Sequence, residues 1–554
     1  MTNPAPGRGR IGAGVAGRQG SAAPEPNFPR RGEAAFAAAA AATAGEGNAP
    51  APFSMAPWEL LQLYTYGLAI ATALLLWAAC ACGARRRRTG EPPLINGWIP
   101  FIGKALAFRK DAFKFLISQQ RKFGDVFTVH IAGRYITFIM DPFQYVYVIR
   151  NSKQLEFSEF ADKMASRTFG YPSLSNFPNL NENLHRIYQY LQGKPLDIIS
   201  DHMMKNLQHV FEWKCSQATD WKTEKMYKFC SFLMFEASFI TLYGRDPAAD
   251  GHNVISEIRD KFTKFDANFP YLAANIPIEL LGVTKKVRKE LIHHFLLRNM
   301  AKWMGGSEVI QARKDTLEKY ELLQDYDKAA HHFAFLWASV ANTIPATFWA
   351  MYYLLRHPEA LAVVRDEIDH LLQSTGQKKG PGYSIHLTRE HLDNLVYLES
   401  SLNESLRMCS SSMNIRISQE DYILKLGGNQ EVNLRKGDWI ALYPQILHMD
   451  PEVYEDPEVY KFDRYIENGK KKTTFYKGGR KLKYFLMPFG SGISMCPGRF
   501  FAMNEIKLFL ILFLAHFDIE LVEKKPIGLD NSRMGLGILL PDSDIACHYK
   551  IRSF

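Results

Sequence analysis

A mainly helical protein behind one N-terminal membrane-spanning helix is what the sequence predicts, on three observations. Leu60 to Cys82 is a run without a charge, followed at once by Arg85-Arg86-Arg87-Arg88. So long an apolar run crosses a bilayer as a helix. Apolar residues recur at helical spacing in Asp201 to Phe211, Phe229 to Leu242 and Leu354 to Leu372. Strand-like alternation is sparse, and Val126 to Ile131 with Tyr135 to Met140, around Ala132-Gly133-Arg134, reads as one β-hairpin.

Residues 1–54 are rich in Ala, Gly and Pro and nearly free of large apolar side chains, so they bury too little surface to fold and read as a disordered extension. Their Arg-rich, acid-poor composition suits a transit peptide. Met55 reads equally as the ordinary start, with the extension adding nothing to the chemistry. Residues 55–91 form the anchor and its basic stop. By the positive-inside rule Arg85 to Arg88 stay cytosolic, with the N-terminus in the lumen and residues 92–554 in the cytosol. Glu91 to Gly103 alternates stiff prolines with glycines and reads as a rigid connector. No internal repeat or second domain is visible beyond it.

The net charge of +10 is concentrated in the extension, in Arg85 to Arg88 and in Lys470 to Lys483, which carries seven cations and no acid. Such a run is commonly a solvated loop. It stands just before the most informative stretch of the chain, where an acidic partner would be steered. No nucleic-acid partner is expected. The seven cysteines are scattered without a Cys-x-x-Cys pair, which fits a reducing compartment and neither a disulfide framework nor a zinc site.

That stretch is Phe489-Gly-Ser-Gly-Ile-Ser-Met-Cys-Pro-Gly498, a glycine-rich loop with Phe489, Gly492, Cys496 and Gly498 at fixed spacing. Pro497-Gly498 opens an apolar helical run, and helix N-terminal amides favour a thiolate at Cys496. A thiolate so placed suits iron, although most free cysteines are unreactive. Upstream, Glu404-Ser-Leu-Arg407 lies on a helical segment and Arg464 in a loop. Alone, that acid and base read as an exposed i, i+3 pair.

In this order the motifs resemble the cytochrome P-450 family, from about residue 92 onward. The resemblance implies the family's mainly α fold with small β-sheets, and haem b as cofactor with Cys496 as its iron ligand. Glu404, Arg407 and Arg464 would then form a buried triad supporting the loop. It further implies electrons from NADPH through a separate reductase docking at the basic face, since nothing here reads as a flavin domain, and residence in the endoplasmic reticulum membrane.

On the distal side, Asp327 to His357 reads as one long helix containing Trp337 to Trp349. The family places an acid and an alcohol here to relay protons to dioxygen. This chain has Ala341 and Asn342, or, one residue on, Asn342 and Thr343. Pro345 has no N–H and cannot bond the carbonyl of Ala341, so a kink is expected there.

The departure is similar to the branch holding the sterol hydroxylases and prostacyclin synthase, with wording shared by oxysterol and cholesterol 7α-hydroxylating members. It implies 7α-hydroxylation of an oxysterol or related steroid, in cholesterol and bile-acid metabolism, with Met413, Asn414 and Ile415 bordering the substrate. A haem-thiolate isomerase, a sterol hydroxylase of other regiochemistry and a non-enzymatic haem or sterol carrier stay open. Ser494 stands where many relatives carry a propionate-binding Arg or His, and the usual Trp-x-x-x-Arg is missing near His185 to Lys194. Arg416 and Lys194 are the substitutes expected for those contacts.

Overall fold

The computed structural model describes residues 57–82, 85–215, 220–248, 251–380, 383–523 and 525–552. The extension expected at residues 1–54 lies outside them. The chain divides into two units, Met1–Thr72 and Ala73–Phe554.

Helix α1, Pro57–Cys82, contains the uncharged run. Its described side chains are exposed, among them Trp58, Leu61, Leu68, Ile70 and Leu75. Among the described residues, no helix is long and apolar enough to cross a membrane. The expected span is therefore not met there.

Arg85 lies in the second unit. It pairs with Asp438 and with Glu91, and Arg435 closes on Glu91 from the other side. Both acids are buried and need these cations. Arg85 is thus a structural charge as much as part of a basic stop.

The second unit is helix-rich. Its largest sheet comprises β1 Leu94–Ile95, β2 Val126–Ile131, β3 Arg134–Ile139, β4 Leu155–Glu156, β5 Asn414–Ser418 and β6 Trp439–Leu442. The strand order is β1-β2-β3-β6-β5-β4. The expected hairpin is present with β3 starting one residue early. Ala132 and Gly133 both take positive φ, and this two-residue turn leaves Ile131 opposite Arg134. β6 runs parallel to β3 and antiparallel to β5, which brings residues 414–418 beside the N-terminal hairpin.

The helices that position the site are α2 Gly193–Cys215, α3 Met226–Tyr243, α4 Gly251–Asp266, α5 Asp325–Val340, α6 Thr343–Arg356, α7 Pro358–Ser374, α8 Val396–Cys409 and α9 Arg499–His516. α3 and α9 are apolar and buried nearly all round, as core helices are. Two expected continuities break. Leu354 to Leu372 crosses from α6 to α7 at His357, because Pro358 opens a new helix at its first turn. The long distal helix divides at Ala341-Asn342, with Pro345 in the first turn of α6.

Candidate active site

Cys496 sits at the mouth of α9. Its backbone N–H donates to the Phe489 carbonyl at 2.8 Å, closing the loop into a compact bulge. Gly492 takes φ +63°, and a Cβ there would come within 2.5 Å of Ile149, so only glycine fits. Gly498 caps α9. Burial raises the Cys496 thiol above its ordinary range, while the amides of Gly498 and Arg499 and the Arg499 charge pull it down. The expected helix amides are in place, but burial outweighs them. A metal cation at the sulfur reverses that balance, since a coordinating thiol gives up its proton.

The three upstream charges meet. Arg407 holds both oxygens of Glu404, Nε to Oε2 at 2.8 Å and Nη2 to Oε1 at 2.9 Å. Arg464 Nε donates to Glu404 Oε1 at 2.8 Å, and its other nitrogens donate to the carbonyls of Glu455, Asp456 and Val459. Glu404 and Arg407 are completely buried. A buried ion pair is tolerable only when so fully hydrogen-bonded. Arg407 also reaches the His448 carbonyl, and the His448 ring accepts the amide of Met487, two residues before Phe489. The triad therefore braces the Cys496 loop through His448.

A second arm comes from β5. Arg416 is 3% exposed and donates to the Ile415 carbonyl, the Ser491 carbonyl and Ser494 Oγ, all neutral acceptors. Among the described residues no carboxylate pairs with it. Burial alone lowers its guanidinium to about 10. An uncompensated buried cation is costly, so the cradle suits a ligand with an anionic edge. A thiol able to ligate iron and a buried guanidinium waiting for a carboxylate together fit haem and its propionates. Ser494, in place of a basic residue, is the side chain that Arg416 holds. Lys194 lies exposed in the first turn of α2, and no partner is found for it among the described residues.

The substrate-side residues separate. Met413 donates its N–H to the Gly535 carbonyl at 3.1 Å, and its side chain crosses the face of that glycine. Ile415 is buried in the sheet opposite Ala441. Asn414 shares the face of β5 with Arg416 and turns to the Cys496 loop, where its Oδ1 accepts from Ser491 Oγ at 2.9 Å. Ala341 is buried at the helix break. Asn342 is half-buried, and its Oδ1 accepts the Ile538 amide at 3.0 Å. That acceptor is thus spent on the backbone, which leaves the Nδ2 donors. A Cβ at Gly537 would lie 2.2 Å from that oxygen.

Thr343 faces elsewhere. Its hydroxyl donates to the Ser339 carbonyl at 2.9 Å, and it touches the buried carboxyl of Glu505 on α9. Burial pushes Glu505 up to about 8, against the opposing bonds from Ser238 and Thr343.

Nothing in the sequence patterns marks Glu505, Asp266 or Arg533. Asp266, at the end of α4, accepts from Trp337 Nε1 at 2.8 Å and from both terminal nitrogens of Arg533. The ring of Phe269 stacks on Trp337 at 4.0 Å. This buried pair ties α4 and α5 to the segment 533–539, whose backbone also bonds Cys409, Ser411 and Met413. Positions spaced this widely carry no local signal, although the Gly535-x-Gly537 spacing hints at close backbone approach.

The family model "Cytochrome P450" matches residues 92–547. The chain is 52% identical over 470 residues to "Cytochrome P450 7B1" of Mus musculus, covering 85% of this chain and 92% of that protein. It is 49% identical over 411 residues to "25-hydroxycholesterol 7-alpha-hydroxylase" of Rattus norvegicus, covering 74% and 99%. It is 44% identical over 482 residues to "Cholesterol 7-alpha-monooxygenase" of Cricetulus griseus, covering 84% and 95%. With the Cys496 loop, the buried triad and the helix break in one helix-rich body, and a family model matching across nearly all of that body, the chain belongs to the cytochrome P450 family and takes haem iron as its cofactor.

Proposed function

We propose that the protein is a haem-thiolate monooxygenase that hydroxylates an oxysterol or related steroid at the 7α position, with electrons from NADPH through a separate reductase. The observation that carries the substrate class and regiochemistry is the 49% identity to "25-hydroxycholesterol 7-alpha-hydroxylase" and the 44% identity to "Cholesterol 7-alpha-monooxygenase". Identity at that level to hydroxylases favours hydroxylation over a prostacyclin-type rearrangement.

Haem bound to a cysteine thiolate supplies the electron donation that activates dioxygen. Cys496 supplies the thiolate, Arg416 the counter-charge at the cofactor's edge, and the triad with His448 the rigidity that keeps the loop in register. Asn342 serves the distal side. Its Nδ2 donors, fixed in direction by the Ile538 clip, hold a water at the helix break, from which a proton reaches dioxygen. Thr343 does not share that role, because its hydroxyl is committed to Ser339 and Glu505. Met413, with the segment 534–538, borders the sterol, which binds largely by apolar burial at about 25 cal/mol per Å².

The uncharged run Leu60 to Cys82 and the exposed apolar side chains of α1 support a membrane anchor. At roughly 1.5 Å per residue, a helix of 26 residues exceeds the ~30 Å hydrocarbon core of a bilayer. Our reading is an endoplasmic reticulum membrane protein with its catalytic body cytosolic, which the basic run Arg85 to Arg88 after the uncharged stretch supports. Protease protection of the intact membrane fraction tests that topology.

The decisive assay reconstitutes the full chain with reductase, NADPH and a panel of oxysterols and cholesterol, and locates the new hydroxyl by mass spectrometry. A 7α product that needs NADPH is expected. Turnover of an endoperoxide without NADPH, or hydroxylation only at another carbon, overturns the reading.

A further inference from the structure

Asn414 is the one buried amide on the face of β5 that also carries Arg416, and only half of it is satisfied. Its Oδ1 accepts from Ser491 Oγ at 2.9 Å, whereas its Nδ2 is buried and has no partner among the described residues. The residue is 6% exposed. A buried donor without an acceptor has lost its water without recompense, so such a group in a well-packed site points to a ligand.

The surroundings narrow the ligand's chemistry. Ser491 lies between the two side chains, receiving Arg416 Nη2 on its carbonyl at 3.3 Å and offering its hydroxyl to Asn414. Asn414 Oδ1 also stands 3.4 Å from where a Cβ of Gly490 would lie, so the amide rests on the loop that presents Cys496. Two residues apart on one strand, a guanidinium without a carboxylate and an amide donor without an acceptor, among the described residues, therefore face the same loop. Among the described residues the amide lacks an acceptor and the guanidinium, bonded only to neutral oxygens, lacks an anion. A carboxylate answers both needs, since charge-assisted bonds from nitrogen are the strong ones.

We propose that Asn414 Nδ2 donates to a haem propionate beside Arg416, and so replaces part of the cationic hold that is absent where Ser494 stands. The inference rests on the haem fit described above. Asn414 is then a cofactor-edge residue rather than a border of the sterol.

The test compares Asn414→Leu, Asn414→Asp and Ser491→Ala in the full-length protein. Haem transfer to excess apomyoglobin gives the dissociation rate, and spectroelectrochemistry gives the midpoint potential. The reduced-CO spectrum reports whether thiolate ligation survives in each variant. Asn414→Leu is expected to lose haem about tenfold faster, the effect of one hydrogen bond to a charged group. Asn414→Asp, which sets a carboxylate against the propionate, should lose it faster still. Both should shift the midpoint to more negative values. Ser491→Ala, which removes only the Oδ1 partner, should stay within about twofold of wild type.

If Asn414→Leu takes up no haem, Asn414→Asp decides, because it keeps the shape and can still accept from Ser491. Wild-type retention and potential in that variant overturn the proposal. Failure of Asn414→Asp to load while Ser491→Ala loads normally supports it. Equal loss in Ser491→Ala and Asn414→Leu also overturns it, because the amide would then act only by supporting the loop.

Discussion

Arg407 donates to the carbonyl of His448 at 2.6 Å, and the ring of the same histidine accepts the Met487 amide at 3.0 Å. That ring must be neutral to accept, and burial, with the nearby Arg407 charge, holds it at about 3. The triad is thereby wired to the cysteine loop by hydrogen bonds with no titrating link near neutrality. Arg407→Leu leaves Glu404 short of its bidentate partner and the His448 carbonyl without a donor. A loss of about 3–5 kcal/mol is expected. Thermal midpoints together with haem content will check it, and Arg407→Lys should rescue little, because a point charge cannot serve two carboxylate oxygens and a carbonyl at once.

Cys496→Ser should abolish the thiolate-type absorption of the reduced, CO-bound protein, because a hydroxyl does not supply the same electron donation. Retention of that band would remove Cys496 as the iron ligand.

Asn342→Ala should leave haem content intact while product per NADPH consumed falls and peroxide rises. The loss is of roughly the 10²-fold order that follows removal of a proton-transfer group. Thr343→Val should leave coupling near wild type. Full coupling in Asn342→Ala with loss in Thr343→Val would shift the role by one residue.

Glu505 predicts a pH dependence of stability. The unfolded carboxyl releases its proton near 4.5 and the folded one near 8, so the folded state holds the extra proton between those values. The stability contributed by the neutral acid is full below pH 4.5, falls by about 1.4 kcal/mol per pH unit through the window, and is gone above pH 8. Glu505→Gln keeps the shape without the ionisation. Its thermal midpoint, followed from pH 5 to 9, should gain on wild type steadily and show no gain at the acid end.

The basic run is less uniform than its composition suggests. Lys471 pairs with Glu399 and Lys477 with Asp450, whereas Lys470, Lys481 and Lys483 are exposed and without an acidic partner among the described residues. Neutralising those three should slow reduction by the reductase at low salt and flatten its salt dependence, with haem content unchanged. An unaltered rate would return the run to a solvated loop.

What could be read in the sequence were features with local spacing. Cys496 and its glycines, the Glu404 and Arg407 pair, and the hairpin at Ala132-Gly133 each lie within a few residues. The kink at Asn342 followed from Pro345. The rest depends on encounters across the fold. Asp266 and Arg533 meet 267 positions apart. Glu505 looks like an ordinary helix acid until α9 proves buried on every side. Asn414 reads in the sequence only as part of a substrate border with Met413 and Ile415, and its bond to Ser491 of the Cys496 loop spans 77 positions.

Gly537 and Asn342 also constrain how this sequence can change. A side chain at 537 would occupy the place of the Asn342 oxygen, 2.2 Å away, so the two positions behave as one heritable unit. Gly537→Ala should be damaging in the present background and milder once Asn342→Ala has removed the obstruction, a dependence on order that a double-mutant cycle measures as epistasis. The amide at 342 therefore adds a second lock to a glycine that its φ of +148° already requires, and exchanging the amide lifts the clash while the backbone demand stays.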